Sequence, residues 1–208
     1  MNKVNYQKEL EKIIVSLKEP KKVFLHSCCA PCSSYCMEYL RRYFDVTVFY
    51  YNPNIMNAEE YGKRVEEQKR LINAYNQIET ADDGSLLKQI AFVEGCYDVD
   101  NYLANIKGLE GAPEGGSRCG RCFDLRLRET ARAAKGMGMD FFTTTLTISP
   151  LKNAQLLNEI GNRIGEEMGI AFLPSDFKKN NGYLRSIELS KEYDLYRQDY
   201  CGCEFSKQ

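Results

Sequence analysis

Apolar residues recur along this chain at two spacings, that of helices and that of buried strands. Tyr6, Leu10, Ile13, Ile14 and Leu17 share one helical face, which predicts an amphipathic helix ending before Pro20. Short runs rich in β-branched and aromatic residues predict extended segments at 23–25, 46–51, 90–93, 141–146 and 172–173. Between them, helical spacing predicts helices at about 33–43, 59–75, 119–135, 153–168 and 186–196.

Strands that alternate with helices predict an α/β fold, a three-layer sandwich with a mainly parallel sheet, formed by one domain over residues 1–208. Ligands of such sheets bind where strands end and loops lead into helix N-termini. No apolar run is long enough to span a membrane, and residues 1–6 lack a secretory apolar core, so we expect a cytoplasmic protein without a membrane partner. The net charge of −1 leaves any RNA contact to local basic patches.

Nine cysteines are the unusual feature of the composition. A chain of 208 residues in a reducing compartment needs no disulfide staples, so grouped cysteines indicate metal binding or redox chemistry. Cys96 stands alone, and it and Cys36 fit the role of inert thiols. The remaining seven form three groups, which are Cys28, Cys29 and Cys32; Cys119 and Cys122; and Cys201 and Cys203.

Two pairs of cysteines can supply four thiolates to one centre. Cys28 and Cys29 follow the first predicted strand, and both can face one centre only if the loop bends sharply. Cys119 and Cys122 are three apart at the start of a predicted helix, whose N-terminus favours thiolate. Four thiolates suit a [4Fe–4S] cluster, and tetrahedral zinc is the alternative. The adjacent pair and the three additional cysteines favour iron–sulfur.

The segment Cys201-Gly202-Cys203 has three interpretations. A disulfide across one glycine is strained and therefore easily reduced, which favours a redox-active pair. Alternatively, one or both cysteines bind a second metal ion together with Cys32 or a nearby carboxylate. A disordered tail with inert thiols is the third, which the flanking Tyr200 and Phe205 disfavour. His26, the only histidine, precedes Cys28 by two residues and is a candidate acid or a support for the metal ligands.

Basic residues near these cysteines are candidates for phosphate contacts with a polynucleotide. Lys178 and Lys179 are adjacent in sequence, and Arg118 belongs to a group of arginines on one side of the helix that carries Cys119. A solvated helix face is the alternative interpretation of such arginines.

Several motifs, in this order along nearly the whole chain, together resemble the epoxyqueuosine reductase family QueH, once a domain of unknown function. They are His26-Ser-Cys-Cys-Ala-Pro-Cys-Ser33, Tyr51-Asn-Pro-Asn-Ile55, Arg118-Cys-Gly-Arg-Cys122 with Arg126-Leu127, Phe142-Thr-Thr-Thr-Leu146, Ser149-Pro-Leu-Lys152, Asp176-Phe-Lys-Lys179 and Tyr196-Arg-Gln-Asp-Tyr-Cys-Gly-Cys203. The adjacent cysteines, the CxxC and the terminal CGC, taken in this order, make the resemblance specific.

The resemblance implies removal of the epoxide oxygen of epoxyqueuosine in tRNA, which gives queuosine without cobalamin. It assigns a cluster to Cys28, Cys29, Cys119 and Cys122 and a redox-active pair to Cys201 and Cys203. It also implies similarity to the adenine-nucleotide hydrolase and ATP pyrophosphatase folds (HUP-like), although the SGGxDS phosphate loop of those ATP enzymes is absent after the first strand.

The expected reaction takes two electrons and two protons. We therefore expect the reaction to need an electron donor, whose identity the sequence does not give, and an acid such as Asp176, His26 or a tyrosine. An additional iron ion is one further option. Asn52 and Asn54 are further candidates for substrate or tRNA contact. The alternatives are a tRNA-thiolating enzyme of the same fold, which would need an ATP loop, and a zinc-stabilised RNA-binding module.

Overall fold

The computed structural model describes residues 4–207. The helices and strands of this part alternate along the chain. They are α1 (Tyr6–Ser16), β1 (Lys21–Ser27), α2 (Ala30–Leu40), β2 (Phe44–Tyr50), α3 (Ala58–Asn76), β3 (Ala91–Glu94), α4 (Val99–Ile106), α5 (Ser117–Gly136), β4 (Phe141–Thr144), α6 (Ala154–Met168), β5 (Ala171–Phe172) and α7 (Gly182–Glu192). Single 3₁₀ turns follow at Thr145–Ile148 and Glu204–Ser206. Among residues 4–207, no helix has the length and apolar character needed to cross a bilayer.

The five strands form one parallel sheet in the order β3-β2-β1-β4-β5. The chain first adds strands on one side of β1 and then returns to place β4 on its other side. Such a reversal between β1 and β4 opens a crevice at the carboxyl ends of the strands, where parallel sheets bind ligands. The loop after β1, which holds Cys28, therefore lies at this crevice.

Side chains that alternate along β1 enter two separate cores, because successive strand residues point to opposite faces. Val23 and Leu25 pack into the core under α1, α2 and α3, whereas Phe24 packs into the core under α5 and α6. All three are fully buried. A sheet covered by helices on both faces confirms the predicted three-layer α/β sandwich.

Helix α2 begins three residues earlier than predicted. The sequence indicated Ser33 or Ser34 as N-cap, but the cap residue is Cys29 and Pro31 lies in the first turn. Proline suits the first turn, because its missing N–H has no helical partner there. The two serine hydroxyls instead donate to carbonyls one turn back. Cys32 consequently lies on the first turn of α2 and not in a loop.

Strand β4 ends at Thr144, two residues before its predicted end, because Thr144 caps the 3₁₀ turn that begins at Thr145. Two helices also differ from their predictions. Helix α4 was missed because it has eight residues, too few for a clear periodic pattern; Asp98 caps it and Tyr102 and Ile106 are its buried positions. Helix α7 spans Gly182–Glu192 and not 186–196, because Asn181, in the left-handed region at φ 60°, starts the helix earlier. Both differences lie outside the sheet.

Gly161 of α6 marks the closest approach of a helix to the sheet. A Cβ at this position would lie 2.5 Å from a ring carbon of Phe172, whereas a Cβ at Gly62 of α3 would meet nothing within 4 Å. We expect Gly161→Ala to lower the free energy of unfolding by about 1–3 kcal/mol through overpacking. The matched Gly62→Ala should raise it by about 0.5–1 kcal/mol. Urea unfolding measures both, and equal effects would contradict this account.

Candidate metal and redox site

The loop after β1 brings three thiols together. The sulfurs of Cys28, Cys29 and Cys32, here called the cysteine trio, all lie within 4.8 Å of one another. Cys28 Sγ and Cys29 Sγ are 3.8 Å apart, so the sharp bend required for adjacent cysteines to converge is present. Thr145 fixes the bend from β4, because its Oγ1 accepts a hydrogen bond from the Cys28 amide at 3.3 Å. Two sulfurs that bind one tetrahedral ion through bonds of roughly 2.3 Å lie roughly 3.8 Å apart, which is the separation of these two sulfurs.

The trio favours one negative charge. Hydrogen bonds from the thiols of Cys29 and Cys32, together with the charges of Arg126 and Lys152, hold the pKa of Cys28 well below its usual range. Hydrogen bonding to Cys28 raises the pKa of Cys29 to about 12. The first thiolate of the trio is therefore stabilised before any metal arrives, and thiolate is the form that binds metal.

A second group of four cysteines lines one narrow cavity with Arg126 and Lys152, here called the thiol cavity. About 30 Å³ of it is open to the centres of water molecules. Its cysteines come from the first turns of α5 and from the C-terminal segment, residues 200–207, and are Cys119, Cys122, Cys201 and Cys203. All nine cysteines of the chain are free thiols in this structure.

Helix α5 positions its two cysteines as the CxxC spacing predicted. The amide of Gly115 donates to Cys119 Sγ at 3.2 Å, and Arg126, one turn further along α5, directs Nη1 at Cys122 Sγ at 3.9 Å. Cys28 and Cys119 both pack against the core that contains Phe123. The loop after β1 and the first turns of α5 therefore border the same core.

The C-terminal pair lies beside a phenol. Tyr102 of α4 donates to Cys203 Sγ at 3.1 Å, and both residues are buried. Hydrogen bonds from the Cys201 thiol and from Tyr102 lower the pKa of Cys203 to about 6. One sulfur of the pair is thus held as thiolate near neutral pH. Sequence reasoning missed Tyr102, because its helix was missed.

These donors fit a thiolate-bound metal or an iron–sulfur group. Of residues 4–207, the trio is the one group whose sulfur, nitrogen or carboxylate donors converge closely enough for a single ion. Soft sulfur donors select iron–sulfur clusters or zinc over magnesium or calcium. Arg126, a buried cation, also needs a negative partner here. Cys36 is buried and donates to the Cys32 carbonyl, and Cys96 is exposed, so both lie outside the site as predicted.

Backbone contacts hold the C-terminal segment at the site. Arg64 of α3 is buried and donates to the carbonyls of Tyr200 and Cys201 at 3.3 and 3.4 Å. Asn54 donates to the Cys201 carbonyl at 3.1 Å, and the Met56 amide donates to the Gly202 carbonyl. Arg64 was also missed by sequence reasoning. Its place among Tyr61, Val65 and Gln68 on the inner face of α3 was the available signal.

Three residues predicted to contact substrate or tRNA are buried and form hydrogen bonds within the protein. Asn52, Asn54 and Arg118 are each 1% exposed. Asn52 donates to the Ser27 carbonyl, and Arg118 donates to the carbonyls of Glu110, Ala112 and Phe205 and to the hydroxyl of Ser206. Asn54 Oδ1 and Arg118 Nε have no hydrogen-bond partner among residues 4–207, and both residues line the thiol cavity. The low exposure of the three side chains argues against direct contact with a polynucleotide.

His26 does not have the character of an acid. Burial, and then the charge of Arg126, lower its pKa to about 3, so the imidazole is neutral at physiological pH. Its Nδ1 lies 2.9 Å from Thr144 Oγ1 and its Nε2 lies 3.1 Å from the Tyr51 carbonyl oxygen. These contacts favour a positioning role between β1, β2 and β4 over the predicted role as an acid.

An open groove adjoins the thiol cavity, with a volume of about 610 Å³. Asp176, Lys178 and Lys179 lie on this groove, as does the start of α6. Lys178 Nζ is 2.9 Å from Asp176 Oδ1, whereas Lys179 is exposed. Lys152 lines both the groove and the thiol cavity and so connects them. It was quoted within a motif, but sequence reasoning assigned it no role.

Comparison with known proteins agrees with this site. The model of the family "Epoxyqueuosine reductase QueH" matches residues 23–208. Among the relatives that carry that name, one from Staphylococcus epidermidis is 43% identical over 98% of this chain and 85% of its own length. One from Streptococcus pyogenes is 42% identical over 98% of this chain and 78% of its own length. One from Thermotoga maritima is 34% identical over 88% of this chain and 89% of its own length.

The fold, the site and the family match define an α/β oxidoreductase whose cysteines, at the crevice of its sheet, are compatible with a metal or iron–sulfur site. Within this class, the chain belongs to the epoxyqueuosine reductase family QueH. Membership disfavours the two alternatives, the tRNA-thiolating enzyme and the zinc-stabilised RNA-binding module.

We expect Arg64→Ala to release the C-terminal segment. Hydrogen bonds from a charged donor contribute about 1.5 kcal/mol or more, so their loss should raise the population of the open segment about tenfold. Iodoacetamide labelling of Cys201 in chelator-treated protein, followed by mass spectrometry, measures this. Arg132→Ala is the control, because Arg132 is an exposed arginine paired only with Glu129. Equal labelling rates in both variants would contradict the anchoring role.

Proposed function

We propose that this chain reduces the epoxide of epoxyqueuosine in tRNA to the alkene of queuosine, with release of water. The observation that carries the proposal is the meeting of the cysteine trio, the thiol cavity and a buried arginine in a chain of the QueH family. The reaction consumes two electrons and two protons. The site must therefore accept electrons from a donor, deliver them to the substrate, and protonate the departing oxygen.

Cys28, Cys29, Cys119 and Cys122 are the proposed ligands of a [4Fe–4S] cluster. The convergence of the first pair and the shared position of both pairs beside Arg126 support this set. When bound, the cluster supplies electrons one at a time. Cys32, Cys201 and Cys203 are the proposed ligands of an additional iron ion, which the closeness of Cys32 to the first pair supports.

Cys201 and Cys203 are alternatively the immediate reductant. Conversion of the Cys201 thiol and the Cys203 thiolate to a disulfide releases two electrons and one proton. The epoxide takes up both electrons and this proton, and its second proton comes from the acid. The thiolate character of Cys203 and the hydrogen bond from Tyr102 support this role. An external reductant then returns the disulfide to its reduced form.

Asp176 is the proposed acid for the departing oxygen, now that His26 has a positioning role. Its side chain is mostly buried and lies on the open groove beside Lys178, on the side from which a nucleotide would approach. Lys179 is exposed next to the groove, which supports a contact between this lysine and a tRNA phosphate.

The proposed roles of the cysteines predict that some variants lose iron and that others lose only turnover. Cys28→Ser or Cys119→Ser should lower the iron content and the broad absorption near about 400 nm of anaerobically purified protein, because a thiolate ligand is lost. Cys201→Ser and Cys203→Ser should retain four irons per chain but abolish turnover of epoxyqueuosine-tRNA. Cys96→Ser, at an exposed thiol outside the site, is the control. Full turnover in the Cys201 and Cys203 variants would refute their redox role.

The RNA assignment predicts a change in salt dependence. Lys179→Ala should weaken tRNA binding and reduce the slope of log affinity against log salt by about 0.7–0.9, the value for one phosphate contact. Lys88→Ala is the control, because Lys88 pairs with Asp45 near the amino end of β2, at the opposite edge of the sheet. Binding isotherms at four salt concentrations measure the slope. An unchanged slope in Lys179→Ala would remove this lysine from the interface.

A further inference from the structure

Four arginines within residues 4–207 are almost completely buried, and one of them lacks the compensation that the others have. Burying a charge is unfavourable unless it is paired or hydrogen-bonded to strong acceptors. The four, with exposures of 1–3%, are Arg41, Arg64, Arg118 and Arg126.

The first three arginines donate to backbone carbonyls. Arg41 donates to the carbonyls of Tyr75 and Ile78, at the C-terminal end of α3, where helical carbonyls carry partial negative charge. Arg64 has the carboxylate of Glu60 at 2.6 Å in addition to two carbonyls. Arg118 donates to three carbonyls and a hydroxyl. Each of these charges is compensated without a metal site.

Arg126 has neither a carboxylate nor a carbonyl partner among the described residues. Its Nη2 donates to Asn52 Oδ1, and its Nε lies 3.3 Å from Nε2 of His26. Neither an amide nor an imidazole offers a negative charge to the guanidinium. The remaining partner is sulfur: Nη1 lies 3.9 Å from Cys122 Sγ. The fixed positive charge of Arg126 is therefore directed at the cysteines.

We propose that Arg126 is the buried counter-ion of the cysteine-held centre and raises its reduction potential. The inference rests on the proposed function, in which that centre accepts electrons. Each electron added by an external reductant increases the negative charge of the centre by one, and no bond forms or breaks in this step. A fixed cation in a dry environment stabilises the product of that addition more than the starting state, because the local dielectric is low.

Two substitutions of Arg126 distinguish the effect of its charge on the reduction potential from the effect of its shape. Arg126→Gln removes the charge and retains a donor, whereas Arg126→Lys retains the charge and loses the planar fork. Spectroscopic titration with dithionite measures the reduction potential of the iron-loaded proteins. We expect Arg126→Gln to make one-electron reduction at least tenfold less favourable, a shift of about 59 mV to more negative potential. In Arg126→Lys the reduction potential should shift by less than half as much.

Asn52→Asp tests the same charge with the arginine in place. A carboxylate at the acceptor of Arg126 neutralises the guanidinium, so the potential should again become more negative. Arg41→Gln is the matched control: it removes a buried arginine at the C-terminal end of α2, whereas the cysteine trio lies at the N-terminal end. We expect it to lower stability and leave the potential unchanged.

Each result of these experiments either supports or overturns the role of Arg126 as counter-ion. Loss of iron from Arg126→Gln but not from Arg126→Lys also supports the counter-ion, since an anionic centre then depends on the cation. Wild-type potentials in Arg126→Gln and Asn52→Asp, or equal loss of iron from both Arg126 variants, would overturn it. A wild-type protein without iron or a reducible band would instead refute the proposed cluster, which is a distinguishable result.

Discussion

The guanidinium of Arg126 lies where three parts of the fold meet: the end of β1 through His26, the loop after β2 through Asn52, and the first turns of α5 through Cys122. A buried cation attracts negative charge and repels further cations, so it restricts what the neighbouring side chains can be. His26 stays neutral because of burial and this charge. The same charge helps to lower the pKa of Cys28, and it opposes the burial that raises the pKa of Cys122. The chemistry of the crevice follows from this arrangement.

The sheet makes such an arrangement possible. Strand β4 returns to the free side of β1, so the residues after both strands share one edge. Thr145, which follows β4, then reaches the amide and the sulfur of Cys28. Helix α5 packs on the same face and brings its first turn to the crevice. Parallel topology thus places three chemically different loops within reach of one another.

The part of the site that depends on local pattern was predictable from the sequence. The cysteine loop after β1 and the CxxC at the start of α5 are local features, and each lies where alternating strands and helices indicated. The buried positions and hydrogen-bond partners of Asn54, Arg118 and His26 were not predictable. A polar side chain next to a functional motif is equally compatible with a surface contact and with a buried hydrogen bond. The choice depends on partners distant in sequence, such as Phe205, which lies 87 residues beyond Arg118.

The contacts that complete the site join residues far apart along the chain. Thr145 and Cys28 are separated by 117 residues, and Cys201 and Arg64 by 137. The sheet depends on contacts of the same range, since Val23 of β1 pairs with Phe141 of β4. We therefore expect the crevice to form together with the sheet, once the loop-closure entropy of these contacts has been overcome. A metal-delivery system would meet a folded acceptor with an assembled crevice, in contrast to zinc fingers, whose metal nucleates the fold.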